Sequence, residues 1–189
     1  DIELFAQARA ELPSHRVVGI TGTNGKSTTT ALIHHLLQSA GIAARLGGNI
    51  GLPIMAQEPL PAGGVYVLEL SSYQLDLTFS LDCDVAVLLN ITPDHLDRHG
   101  DMAGYAAAKA RLFAMQSDAH TAVIAAEDDY TRAVAASVSA KLVTVAAADI
   151  GAEQADWPSL QGPHNAQNAA AAIAAVRALG LTDAQIAAG

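Results

Sequence analysis

Gly22-Thr23-Asn24-Gly25-Lys26-Ser27 brings two glycines, a lysine and hydroxyls into one short segment. These residue types at this spacing suit the capture of a phosphate chain. Glycines let the backbone wrap an anion with its N–H groups turned inward. A helix starting just after the loop adds partial positive charge. Lys26 can then reach the β- and γ-phosphates of a nucleotide, the Ser27 hydroxyl can ligate Mg2+, and Thr28 extends the polar run. The strict phosphate-loop pattern places a glycine five residues before Gly25, where this chain has Ile20. The competing reading is a glycine-rich turn with an exposed lysine. Gly-Lys-Ser-Thr after an apolar strand favours the nucleotide.

Three further segments carry groups that could do chemistry. Glu69 ends the otherwise apolar run Val65-Tyr66-Val67-Leu68. A carboxylate buried there needs a cation or donors, so a Mg2+ ligand and a salt-bridged strand end are equally good readings. Asn90-Ile91-Thr92-Pro93-Asp94-His95-Leu96-Asp97-Arg98-His99 follows the next apolar run. Asp94 and His95 are metal or substrate candidates there, although the pattern by itself reads slightly better as a capping turn. Lys109 lies among alanines in a helical stretch, and taken alone it reads as a surface lysine.

The elements that must position these groups alternate in type. Apolar runs at 17–20, 43–46, 65–70, 85–90, 121–125 and 142–145 predict strands. Stretches at 2–11, 27–40, 101–116, 128–138 and 165–179 predict helices, with Gly41 at the C-cap of the second. Residues 47–53 read as a loop, and 146–162 as an irregular surface connection. The strand runs are continuously apolar rather than alternating, as in parallel strands covered on both faces. The fold expectation is therefore α/β: a mainly parallel sheet with helices on both faces, forming a phosphate-loop ATP-binding domain.

Composition narrows the field. The 189 residues fit one domain, and 51% are hydrophobic, enough for a full core. A net charge of −9 without a basic tract argues against nucleic acid. A single cysteine, Cys83, excludes an internal disulfide and suggests a reducing compartment. No run is long and apolar enough for a membrane span. The start Asp1-Ile2-Glu3 has neither an initiator methionine nor a signal-peptide n-region, so the expectation is a processed chain or a fragment.

Together the motifs resemble the Mur ligases, whose ATP loop is shared with folylpolyglutamate synthetases. The similarity rests on Gly22 to Thr28, Gly48-Asn49-Ile50-Gly51, Leu68-Glu69-Leu70-Ser71-Ser72-Tyr73-Gln74-Leu75, Asn90 to Asp97, and Gly162-Pro163-His164-Asn165-Ala166-Gln167-Asn168, in that order. It covers about residues 1 to 189, and the departure at Ile20 is a family trait. Glu69-Leu70-Ser71-Ser72-Tyr73-Gln74-Leu75 and Gly47 to Pro53 look most like the family member that adds D-glutamate.

The resemblance implies a cytoplasmic, monomeric ligase that joins D-glutamate to UDP-N-acetylmuramoyl-L-alanine through an acyl phosphate. It implies ATP held by Gly22, Thr23, Asn24, Gly25, Lys26, Ser27 and Thr28, with Asn165 and Asn168 near the adenine. It further implies two Mg2+ sites drawing on Ser27, Glu69, His95 and a carbamate on Lys109. Lys26, His95 and Lys109 would be catalytic, and Asn49, Ser71 and Ser72 would neighbour the muramoyl substrate. Residues 1–14 look like the linker from an N-terminal domain, and the family's C-terminal domain would lie beyond residue 189. The stretch 146–161 is shorter than the family pattern. A chain with neither flanking domain is expected to keep the fold and part of the nucleotide site without full turnover. The alternatives are a folylpolyglutamate synthetase-like ligase, a switch or motor NTPase, and a simple ATP-binding module.

Overall fold

Branched apolar residues set the sheet. In β1 (His15–Thr21), Val17 packs into one core cluster while Val18 and Ile20 pack into another, so the strand is buried on both faces. The computed structural model describes residues 1–189. Helix α1 (Ile2–Ala8) precedes β1, and α2 (Lys26–Ser39), β2 (Ala44–Gly48) and β3 (Gly64–Glu69) follow it. Next come α3 (Ser72–Asp76), β4 (Val85–Leu88), α4 (Leu96–His99), α5 (Met102–Ala114) and β5 (Thr121–Ala125). The chain ends with α6 (Asp129–Ala135), β6 (Lys141–Val145), α7 (Pro163–Ala178) and α8 (Asp183–Ala188).

The six strands form one sheet in the order β2-β3-β1-β4-β5-β6, with every pairing parallel. One core cluster lies under α2 and α7, the other under α1, α3 and α5. Strand β1 sits between β3 and β4, so the chain leaves it to opposite sides. In an open parallel sheet that reversal makes a crevice at the carboxyl ends of the strands. The register fixes what meets there: Glu69 pairs with Ile20 on one side and with Gly48 on the other.

Helix α2 ends at Ser39 with Ala40 as its C-cap, one residue earlier than the sequence suggests, so Gly41 (φ +77°) is the residue after the cap. Ile42 N–H reaches Leu37 O and Gly41 N–H reaches Gln38 O, both at 2.9 Å, which satisfies the last carbonyls. Three other expectations need correction. Gly47 and Gly48 extend β2, so the loop starts at Asn49. The fourth strand stops at Leu88. Strand β6 is an edge strand with Lys141, Leu142 and Thr144 exposed, so covering on both faces holds only for the inner strands. The short helices α3, α4 and α8 fall outside the stretches that the sequence predicts as helical. Residues 147–160 form three 3-10 turns, and no helix is long and apolar enough to cross a membrane.

Candidate nucleotide and metal site

The glycine loop joins β1 to α2. Gly25 caps α2 with φ +84°, and a Cβ there would lie 2.1 Å from Asn168 Oδ1. Both facts demand glycine. The loop is held from the β4 side: Thr23 N–H donates to Asn90 O at 2.8 Å. Thr23 Oγ1 accepts from Thr92 N–H at 3.0 Å and donates to Thr92 O at 3.2 Å. Asn24 is exposed at the loop tip, and Thr28 is exposed in the first turn of α2.

Lys26 turns back over this loop. Its Nζ donates to Gly22 O at 3.0 Å and to Thr23 O at 2.9 Å. Burial lowers its pKa, opposed by the charges of Glu69 and Asp94. Beside it, Glu69 is 2% exposed and belongs to no ion pair. Ser27 Oγ donates to Glu69 Oε2 at 2.7 Å, and Asn49 Nδ2 donates to Oε1 at 2.9 Å. Asn49 N–H adds a bond to Glu69 O at 2.8 Å. That close approach needs Gly48 (φ +97°), where a Cβ would lie 2.1 Å from Glu69 O. Neutral donors alone therefore satisfy the carboxylate, which removes the salt-bridge reading.

Lys109 corrects the plainest reading of the sequence. It is 1% exposed, not at the surface. Its Nζ lies 4.5 Å from the Tyr105 ring centroid and donates to Gly22 O at 2.8 Å. Burial pushes its pKa down to about 7, and the nearby Lys26 charge adds to this. Tyr105 OH lies 3.3 Å from Thr23 Oγ1, and burial raises its pKa.

His95 stands on the turn before α4 with φ +51°, the one non-glycine residue in the left-handed region. Its Nδ1 is 3.4 Å from Tyr73 OH, and its Nε2 is 3.4 Å from Asp94 Oδ2. Asp94 Oδ1 also accepts His95 N–H at 2.9 Å, but His95 is itself the N-cap of α4 and no side chain caps that helix, so the turn presents an exposed imidazole without the expected cap. Nothing bonds His95 to Glu69. Ser71 caps α3 through a reciprocal box with Gln74, and buried Ser72 bonds His99 Nε2 at 3.0 Å. Both serines thus have structural partners. Asn168 is 3% exposed and packs beneath Gly25, its Nδ2 donating to Asn165 Oδ1 at 3.3 Å and its Oδ1 left without a partner. Asn165 Nδ2 donates to Gln161 O at 3.1 Å.

The groups that converge are thus Lys26, Ser27, Asn49, Glu69 and Lys109. Asn90 and Tyr105 join them, although neither stands out as a site residue in the sequence. A polar residue directly after an apolar strand was the available signal for Asn90. No three His, Cys, Asp or Glu side chains come together as a preformed metal cage. Mg2+ usually takes one or two carboxylates, phosphate oxygens and water, and the Ser27–Glu69 pair suits that mode. A groove of about 920 Å3 lies elsewhere, among α2, α7, α8 and the 3-10 turns.

Known proteins resemble this chain in sequence and fold. The family model described as "Mur ligase middle domain" matches residues 20–159. The UDP-N-acetylmuramoylalanine–D-glutamate ligase of Sphingopyxis alaskensis is 64% identical over 97% of this chain and 42% of its own length. The ligase of the same name from Zymomonas mobilis is 63% identical over 97% and 43%. The chain thus spans about two fifths of the length of these relatives. Among solved structures, MurF from Acinetobacter baumannii superposes with a TM-score of 0.76 at 22% identity, over 97% of this chain and 47% of that one. E. coli FolC in complex with DHPP and ADP gives 0.67 at 21%, over 99% and 59%. Likeness at such identity speaks for the fold alone.

Proposed function

This chain belongs to the Mur ligase middle-domain family, and we propose that it is the ATP-binding domain of a ligase that adds D-glutamate to UDP-N-acetylmuramoyl-L-alanine. The observation that carries the reading is the Ser27–Glu69 contact beside a loop whose Gly22 carbonyl receives both Lys26 and Lys109. The substrates come from the names of the relatives.

In the proposed reaction the muramoyl-L-alanine carboxylate attacks the γ-phosphorus of ATP, giving an acyl phosphate and ADP. The amine of D-glutamate then attacks the acyl carbon, inorganic phosphate leaves, and the amine loses a proton. Bound Mg2+ would neutralise charge on the transferring phosphoryl group. Ser27 and Glu69 would hold one Mg2+, and Glu69, His95 and Lys109 the second. The donors on Glu69 keep its carboxylate aimed. Lys26, released from the Gly22 and Thr23 carbonyls, would pair with the phosphates.

The surroundings of Lys109 suit a carbamate. Near neutral pH its amine loses its proton readily and can attack CO2, and the resulting anion would sit beside the Lys26 cation. Asn165 would border the adenine, with Asn168 supporting the loop from below. Asn49, Ser71 and Ser72 would neighbour the muramoyl substrate. A reducing cytoplasm fits the single buried thiol of Cys83.

Calorimetric titration with ATP, with and without Mg2+, tests the domain reading, and Mg2+-dependent binding lost in Lys26→Ala is expected. Supplied within the complete enzyme, the domain should give phosphate release that needs both muramoyl-alanine and D-glutamate. Release driven equally by another amino acid would overturn the substrate assignment.

A further inference from the structure

We propose that Asn90 is a positioning residue for the nucleotide, a side-chain splint that decides which N–H groups of the loop face the phosphates. The proposal rests on reading Gly22 to Thr28 as a nucleotide loop. Its own support lies in hydrogen bonds that the mechanism does not use.

The Asn90 carboxamide treats Asn24 as a neighbouring strand would. Asn24 N–H donates to Asn90 Oδ1 at 2.8 Å, and Asn90 Nδ2 donates back to Asn24 O at 3.1 Å. The Asn90 backbone carbonyl takes Thr23 N–H at 2.8 Å. The N–H groups of Thr23 and Asn24 are therefore committed to Asn90 and turned away from any anion in the loop.

Helix α2 supplies the donors that remain. Its first backbone bond runs from Thr29 N–H to Gly25 O at 2.9 Å. The N–H groups of Gly25, Lys26, Ser27 and Thr28 precede that bond and have no partner within the helix. They also lie at the positive end of the helix dipole. The splint thus hands phosphate binding to the helix start and fixes the short loop in a single shape.

The second Nδ2 hydrogen carries the splint further, to Gln167 Oε1 at 3.2 Å on α7. Gln167 Nε2 donates to Glu127 Oε2, and Glu127 Oε1 accepts Ala147 N–H at 3.3 Å. One chain of bonds thereby links the loop tip to α7, which carries Asn165 and Asn168. Only a carboxamide of this length offers an acceptor to Asn24 N–H together with two donors. Aspartate has nearly the same shape but turns an oxygen toward Asn24 O and Gln167 Oε1.

Asn90→Asp and Asn90→Ala in this chain test the proposal, read by titration with Mg·ATP and with inorganic tripolyphosphate, and by amide hydrogen exchange. At least tenfold weaker binding of both ligands is expected in each variant. Exchange should rise only at Thr23 and Asn24, with Tm within a few degrees of wild type. Wild-type affinity in the shape-conserving Asn90→Asp overturns the splint while leaving the nucleotide reading intact. Exchange rising across the whole sheet overturns it too, because that marks a general role in folding. A wild-type chain that binds neither ligand sinks the nucleotide reading and the splint together.

Discussion

Lys26 and Lys109 donate to one acceptor, the carbonyl oxygen of Gly22, at 3.0 and 2.8 Å. Two ammonium groups on one carbonyl repel each other, and the more deeply buried amine gives up its proton more readily. Burial first, and Lys26 second, bring Lys109 to about 7. The loop thus holds two lysines whose pKa values burial lowers, with Lys109 brought to near neutrality.

The first consequence is a pH-dependent stability. The folded pKa of Lys109 lies below its unfolded value, so between about 7 and ~10.4 the unfolded chain binds the extra proton. Stability should rise with pH across that window, by up to about 1.4 kcal/mol per unit from this group. The gain is complete above the window and absent below it. Urea melts from pH 6 to 10 should show this slope, and Lys109→Met should flatten it.

The second concerns N-carboxylation. Wild-type protein in 13C-bicarbonate should show a carbamate carbon resonance that Lys109→Met lacks. Ligation by the complete enzyme should fall by at least two orders of magnitude in Lys109→Ala, and added bicarbonate should not restore it. Near-normal turnover in that variant rejects the carbamate role.

Third, Gly25→Ala should cost about 1–3 kcal/mol, from a left-handed φ alone. Its Cβ also meets Asn168 Oδ1 at 2.1 Å, so ATP binding should fall with Tm. A thermal melt and an ATP titration on one sample check both.

Fourth, Glu69→Gln keeps the shape of the side chain but removes its charge. ATP titrations should then lose most of the gain conferred by Mg2+, while the melt changes little. Undiminished Mg2+ dependence would falsify the metal role of Glu69.

The periodicity of the chain was enough for the layered fold, because buried parallel strands must be apolar throughout and helices must cross between them. The phosphate loop was legible for the same local reason: glycine, lysine and serine act within a few residues of one another. The resemblance supplied Glu69, Asn49 and Lys109 as site residues, and the structure brings all three to the loop. Residue type by itself left Glu69 undecided and misplaced Lys109, since an alanine-rich helix does not say which face is buried.

What the sequence by itself determined, then, is set by short-range pattern: the types of the longer elements, the loop chemistry and the family. What only the tertiary structure decided is set by contacts across long stretches of chain. The strand order places β1 between β3 and β4, and this brings Glu69 to Ser27 and Asn90 to Asn24. The packing of α5 under the sheet carries Lys109 to Gly22, 87 residues away in sequence. A pKa near neutrality follows from that burial and that neighbouring charge, and neither exists until the chain has folded.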